Sequence, residues 1–222
     1  MAERRKNLIS SFERNLMNTS NNLNQFIPQF RVARGAQVYS EGEPSESLYR
    51  LTSGLARVTK LSPGGRTIVV RHVLPGDYFG EDVLNARTHS VEAQALTDLT
   101  LERLSPSIQD PSILINVTKN LSEQLARTMR FETHLQLGEL LERVARYLLE
   151  LCRTPLCETD TDGRLTLRVS QEVIGQGVNG TRESTAKVLK ILRNAGLIAI
   201  EYRRTTVLSL EGLACYARGE TA

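Results

Sequence analysis

The stretch EVIGQGVNGTRESTAKVLKIL, Glu172–Leu192, holds a short apolar-patterned run and a longer one, separated only by Val178, Asn179 and Gly180. Ser170 precedes the first run and Thr181 the second, each able to cap a helix start, and Gly196 follows Asn194 as a stop. The spacing predicts a helix of about seven residues, a tight turn and a longer helix from Arg182 to Asn194, a helix-turn-helix layout. The turn needs a left-handed residue; Asn179 tolerates that conformation, and Gly180 adds freedom.

Helical spacing sorts the second helix into two faces. Val188, Leu189 and Leu192, with Thr185 one turn earlier, point back toward Ile174, whereas Arg182, Glu183, Ala186, Lys187 and Lys190 point away. A recognition helix presents its first residues to base edges, where Arg182 can bond a guanine O6 and N7 and Glu183 a cytosine amine. Lys187 reaches a guanine or a phosphate. Arg203 and Arg204, between the β-favouring runs of GLIAIEYRRTTVLSL, suit phosphates. From Arg164 to Arg204 eight basic residues face three acidic ones, a local excess of five positive charges within a chain of net charge +3.

Moving outward, ELLERVARYLLELC reads as an amphipathic helix ended by Pro155, Thr154–Asp162 as an exposed acidic loop, and RLTLRVS as a strand running into Ser170. Upstream of these, Ile113, Leu114, Val117, Leu121, Leu125, Phe131 and Leu135 recur at helical steps from Pro111 through Gln136. A helix of that length extends roughly 38 Å, longer than a small domain is wide, so the stripe is expected to pair with a second copy of itself. Between residues 31 and 104 the period shortens. QVYSEG, SLYRLTSG, LARVTKL, TIVVRHVL, VEAQAL and TLERL are short β-favouring runs punctuated by GEPS, SG, SPGG and PGD, with one helical turn at FGEDVLNAR. The expected class is α+β: a polar arm over 1–30, an antiparallel β-roll (double-stranded β-helix) over 31–106, a dimerisation helix over 107–137 and a winged helix-turn-helix over 138–222. The tail from Glu211 reads as one short helix.

No apolar run is long enough to span a bilayer and the start lacks a signal-peptide core, so a cytoplasmic protein is expected. Cys152, Cys157 and Cys215 fit reduced thiols; the Cys-x4-Cys pair has no further ligands nearby, and no metal is expected.

VSQEVIGQGVNGTRESTAKVLKILRNAGLI resembles the winged helix-turn-helix of the CRP/FNR family of bacterial transcription regulators. GEPSESLYRLTSGLARV and LPGDYFGED resemble that family's β-roll effector domain, and the stripe after Pro111 its dimerisation helix. The resemblance covers roughly residues 30 to 210, in the family's order. It implies a homodimer on double-stranded DNA, a palindrome with TGTGA-like half-sites read by Arg182, Glu183 and Lys187, and an RNA polymerase contact matched by position to Thr154–Asp162. Lys187, where the family carries Arg or Lys, lacks the guanidinium fork and implies looser readout at its base.

For an effector, the resemblance implies the cyclic AMP cassette as the test. Gly80 and Glu81, followed by Asp82, match its opening, and Ser90 fits, but His89 stands where the phosphate-neutralising arginine is expected, with Arg87 two residues earlier. A neutral imidazole is no substitute for that guanidinium. Thr128 and Thr133 are the nearest candidates for an adenine contact. The reading is therefore of a regulator independent of cyclic AMP and without a bound cofactor, with a cyclic-nucleotide-dependent activator as the alternative. A regulatory subunit of a partner enzyme fits the helix-turn-helix poorly. An iron–sulfur cluster lacks cysteines before Cys152, haem lacks a placed ligand since His72 and His89 read as surface or strand residues, and a cupin-type enzyme lacks the histidine cluster. No nucleophile–base pair or phosphate loop suggests catalysis.

Overall fold

The computed structural model describes residues 28–105 and 111–220. The polar arm expected over 1–30 lies almost wholly outside the described residues.

Eight strands build the first half: β1 (Gln29–Val32), β2 (Gln37–Tyr39), β3 (Leu48–Ser53), β4 (Ala56–Leu61), β5 (Thr67–Val73), β6 (Tyr78–Phe79), β7 (Glu92–Ala95) and β8 (Leu99–Leu104). They form two antiparallel four-stranded sheets, ordered β1-β8-β3-β6 and β2-β7-β4-β5, with a 3-10 turn at Glu81–Leu84 between β6 and β7. Their inward residues, among them Leu51, Val58, Val73, Phe79, Ala93 and Leu101, make one core. At the β3–β4 turn only glycine fits: Gly54 has φ 93°, and a Cβ there would lie 2.3 Å from the Asp98 carbonyl.

Helix α1 (Pro111–Gln136) crosses this roll. The single stripe read from the sequence divides into two. Val117 and Phe131 are buried against the chain's own domains, with Ile113, Leu121 and Leu135 half-covered, while Leu114 and Leu125 remain 42% and 60% exposed. Ile115 and Met129 join that open face at 54% and 62% exposed. The covered face is also polar. Asn120 Oδ1 accepts from the Tyr78 N–H at 2.8 Å, Gln124 donates to the Tyr78 carbonyl at 2.7 Å, and Arg127 donates to buried Asp77.

The second half comprises α2 (Leu140–Leu151), β9 (Cys157–Thr159), β10 (Leu165–Leu167), α3 (Gln171–Gly177), α4 (Arg182–Asn194), β11 (Ile198–Glu201), β12 (Arg204–Val207) and α5 (Leu210–Ala217). The sheet order is β11-β12-β10-β9. The expected loop at Thr154–Asp162 is thus partly a strand: β9 pairs with β10, and Asp160 Oδ1 accepts the Asp162 and Arg164 N–H groups at the hairpin tip. The acidity that suggests a loop here is the chemistry of a turn. Val144, Leu148 and Leu151 of α2 meet Ile174, Leu189 and Leu192, all fully buried. Each buried leucine contributes about 2 kcal/mol of transfer free energy, so this cluster fixes where α3 and α4 lie.

Candidate nucleic-acid interface and effector pocket

Both short-range caps form as the sequence requires. Ser170 Oγ accepts from the Val173 N–H at 3.3 Å, and Thr181 Oγ1 from the Ser184 N–H at 3.1 Å. Asn179 sits at φ 51° in the turn. Thr185 is fully buried at the helix crossing, where a Cβ on Gly175 would lie 3.1 Å from its Oγ1, so α3 and α4 pack at backbone distance.

On the opposite face Arg182, Glu183, Lys187 and Lys190 are exposed, and Ala186 is half-buried between them. Glu183 and Lys187 pair across one turn at 2.7 Å, with side chains 80% and 73% exposed. Such a hydrated pair opens at little cost, leaving both groups available to a base edge. In the wing, Arg203 occupies the turn itself at φ 55°, its guanidinium 5.4 Å from the centre of the Tyr202 ring, and Tyr202 is 85% exposed. Arg204 belongs to β12 rather than to the turn, opposite Glu201.

The β-roll pocket has a different character. Gly80 at φ 80° starts the 3-10 turn, and both Glu81 carboxylate oxygens accept from Arg71 Nη2 at 2.7 Å. Arg71 Nη1 donates to Gln124 of α1 at 2.6 Å. The Asp82 carboxylate accepts from both the Ser90 N–H and its hydroxyl, each at 3.0 Å. His89 is neither a surface nor a strand residue. It is a loop residue 3% exposed, stacked on Tyr39 with centroids 3.7 Å apart and planes 11° from parallel, and burial holds its pKa below the usual range despite Asp82 nearby. Its ring packs against Tyr39 and favours the neutral imidazole.

Arg87 is exposed on its loop, its carbonyl accepting from the Ser45 N–H. Thr128 is half-buried and lines a cavity of about 500 Å³ with Arg71, Gln124, Arg127 and Phe131. Thr133 is exposed and its hydroxyl returns to the Met129 carbonyl at 2.8 Å, so it is not brought to the pocket. Arg71 and Gln124 escaped the sequence reading. The available signal was parity, since Arg71 pairs opposite Val58 in the register that puts Ala56 opposite Val73, on the strand face that otherwise carries core residues.

Among the described residues no cluster of three or more His, Cys, Asp or Glu side chains is placed to hold a metal. The Cys152 thiol is pushed up to about 12, chiefly by burial, and it is protonated at neutral pH.

A β-roll joined by one long helix to a winged helix-turn-helix defines a two-domain DNA-binding protein. Residues 29–107 match the cyclic nucleotide-binding domain and residues 142–216 the Crp-like helix-turn-helix domain. The chain is 46% identical over 183 residues to the transcriptional regulator LdrP of Thermus thermophilus, covering 82% of this chain and 93% of that one. It is 30% identical over 192 residues to a CRP-like cAMP-activated global transcriptional regulator of Mycobacterium tuberculosis, covering 83% and 86%. The crystal structure of a CRP-family transcriptional regulator of Thermus thermophilus superposes with a TM-score of 0.83 at 45% identity, over 85% of this chain and 96% of that one. The chain belongs to the CRP/FNR family and is a transcriptional regulator with a DNA-binding helix-turn-helix.

Proposed function

We propose that two copies pair through α1 and read a palindrome of TGTGA-like half-sites without needing cyclic AMP. One observation carries the nucleotide independence: the groups that would greet a cyclic nucleotide are engaged with one another. Glu81 is held by Arg71, and Ser90 donates both its protons to Asp82. A nucleotide phosphate arriving there would meet the Asp82 carboxylate, and the charge repulsion opposes binding. Pairing is supported by the open strip of Ile115, Leu125 and Met129 on α1. Those spacings of ten and four residues keep one helical seam.

In this reading Arg182, Glu183 and Lys187 meet base edges, Thr181 and Lys190 flank them, Ala186 allows close approach, and Arg203 and Arg204 hold phosphates. The Thr154–Asp162 segment, which carries β9 and part of the hairpin tip, is the surface offered to RNA polymerase, and the protein acts in the cytoplasm. The retained Gly80-Glu81 turn and the Thr128-lined cavity favour the second reading, a cyclic-nucleotide-dependent activator.

Binding to a labelled TGTGA-type palindrome, followed by anisotropy at about 150 mM salt, tests the readout. Glu183→Ala should relax selection at one base pair per half-site by about 1–2 kcal/mol. Arg203→Ala should weaken palindrome and random duplex alike and lower the salt slope. Equal losses on both duplexes for both variants would refute these assignments.

A further inference from the structure

Strand alternation places Arg57 on the outer face of β4, where a cation is normally left to solvent. It is instead 7% exposed, because the C-terminal end of α3 lies over it. Arg57 Nε and Nη2 donate to Gln94 Oε1 on β7 at 3.1 and 2.7 Å, and Nη1 donates to Gln176 Oε1 on α3 at 2.6 Å. No carboxylate lies within ion-pair distance of it among the described residues. A buried guanidinium with no carboxylate in direct contact is poor material for stability, since burial lowers its pKa and Glu92 and Glu172 act on it only from a distance. What it supplies is geometry: a planar fork bonded on one side to the β-roll and on the other to the DNA-binding domain.

Two further contacts hold α3, one at each end. His72 of β5 hydrogen-bonds the Tyr147 hydroxyl at 3.1 Å, and the Tyr147 ring lies so close to Gly177 that a Cβ there would be 2.1 Å from its Cζ. Arg34 Nη2 donates to the Arg168 carbonyl at 2.7 Å, just before the N-cap of α3. Gln176 and Gly177 are the last residues before the Val178–Gly180 turn, and the recognition helix follows at once. A tilt of α3 about this end becomes a tilt of α4.

We infer that Arg57, through Gln176, is a positioning residue that fixes the recognition helix against the β-roll and so sets which half-site spacing the dimer accepts. Because it rests on the palindrome reading, the wild-type protein is measured first. Full-length wild type, Arg57→Gln, Arg57→Lys and Gln176→Leu are titrated against TGTGA-type palindromes whose half-sites lie one helical turn apart, here the native spacer, and with one base pair inserted or removed, and melting temperatures are recorded alongside.

Wild type should favour the native spacer by at least about tenfold, as expected for two half-sites held one helical turn apart. Arg57→Gln and Gln176→Leu should bind the native spacer about fivefold more weakly while the spacer preference falls to about twofold or less, with Arg57→Lys intermediate. Gln176 is half-exposed, so its variant keeps the test alive if Arg57→Gln does not fold. A lower melting temperature with an unaltered spacer preference would overturn the inference, as would equal weakening on all spacers. Failure of wild type to prefer the palindrome over random duplex would instead defeat the proposed function.

Discussion

The β-roll pocket and the recognition face both carry dense charge, and they treat it in opposite ways. In the pocket Arg71, Glu81, Gln124, Asp82 and Ser90 satisfy one another, and Asp77 takes both Asn120 and Arg127 of α1. On α4 the one ion pair among the described residues, Glu183–Lys187, lies in water, and Arg182 and Lys190 are fully presented. A closed network stiffens the frame and offers little to a ligand; an open one has its hydrogen-bonding capacity in reserve. The proposed readout of DNA and the proposed independence from cyclic AMP both rest on this difference.

The largest effect expected from this contrast is on the open side. Arg182→Ala should cost about 2–3 kcal/mol in palindrome binding, roughly 30- to 160-fold, with almost no change in unfolding free energy. On the closed side Arg71→Ala should do the reverse. It strands Glu81 and unties Gln124 from β5, so denaturation should show a loss of about 2 kcal/mol while DNA affinity at low temperature changes little. If Arg71→Ala left stability unaltered and Arg182→Ala unfolded the protein, the contrast would be false.

A smaller effect concerns pH at the domain junction. Burial, with Arg57 nearby, holds His72 down at about 4 against its ordinary 6.5, so the folded state favours neutral imidazole. The unfolded chain then binds more protons than the folded one between those values, and stability falls as pH drops from about 6.5 toward 4. His72→Gln should flatten that part of the stability–pH curve, measured by urea denaturation across the window. Smallest of all, Lys187→Ala should leave stability within about 0.5 kcal/mol, since its pair with Glu183 is hydrated.

How much of this was legible in the sequence follows from how local each feature is. The helix-turn-helix was readable because Ser170, Asn179, Thr181 and Gly196 act within a few residues of their own positions. The β9–β10 hairpin was not, because Cys157-Glu158-Thr159 is a strand only through its pairing with Leu165–Leu167. On α1 periodicity identified the helix but could not assign its apolar residues to two separate faces, since that depends on which surface the β-roll reaches. In the pocket Glu81 and Ser90 were legible by type, yet their partners Arg71 and Asp82 were chosen by folding, and His89 was buried by Tyr39 from another strand. Arg57 is the extreme case: a residue patterned for solvent that a second domain covers.

The most direct test of the closed pocket is to titrate the protein into a labelled TGTGA-type palindrome with and without cyclic AMP, at about 150 mM salt. The pairing of Glu81 with Arg71 and of Ser90 with Asp82 predicts tight binding without nucleotide and the same affinity with it. Binding that appears only when cyclic AMP is present would overturn this reading of the pocket.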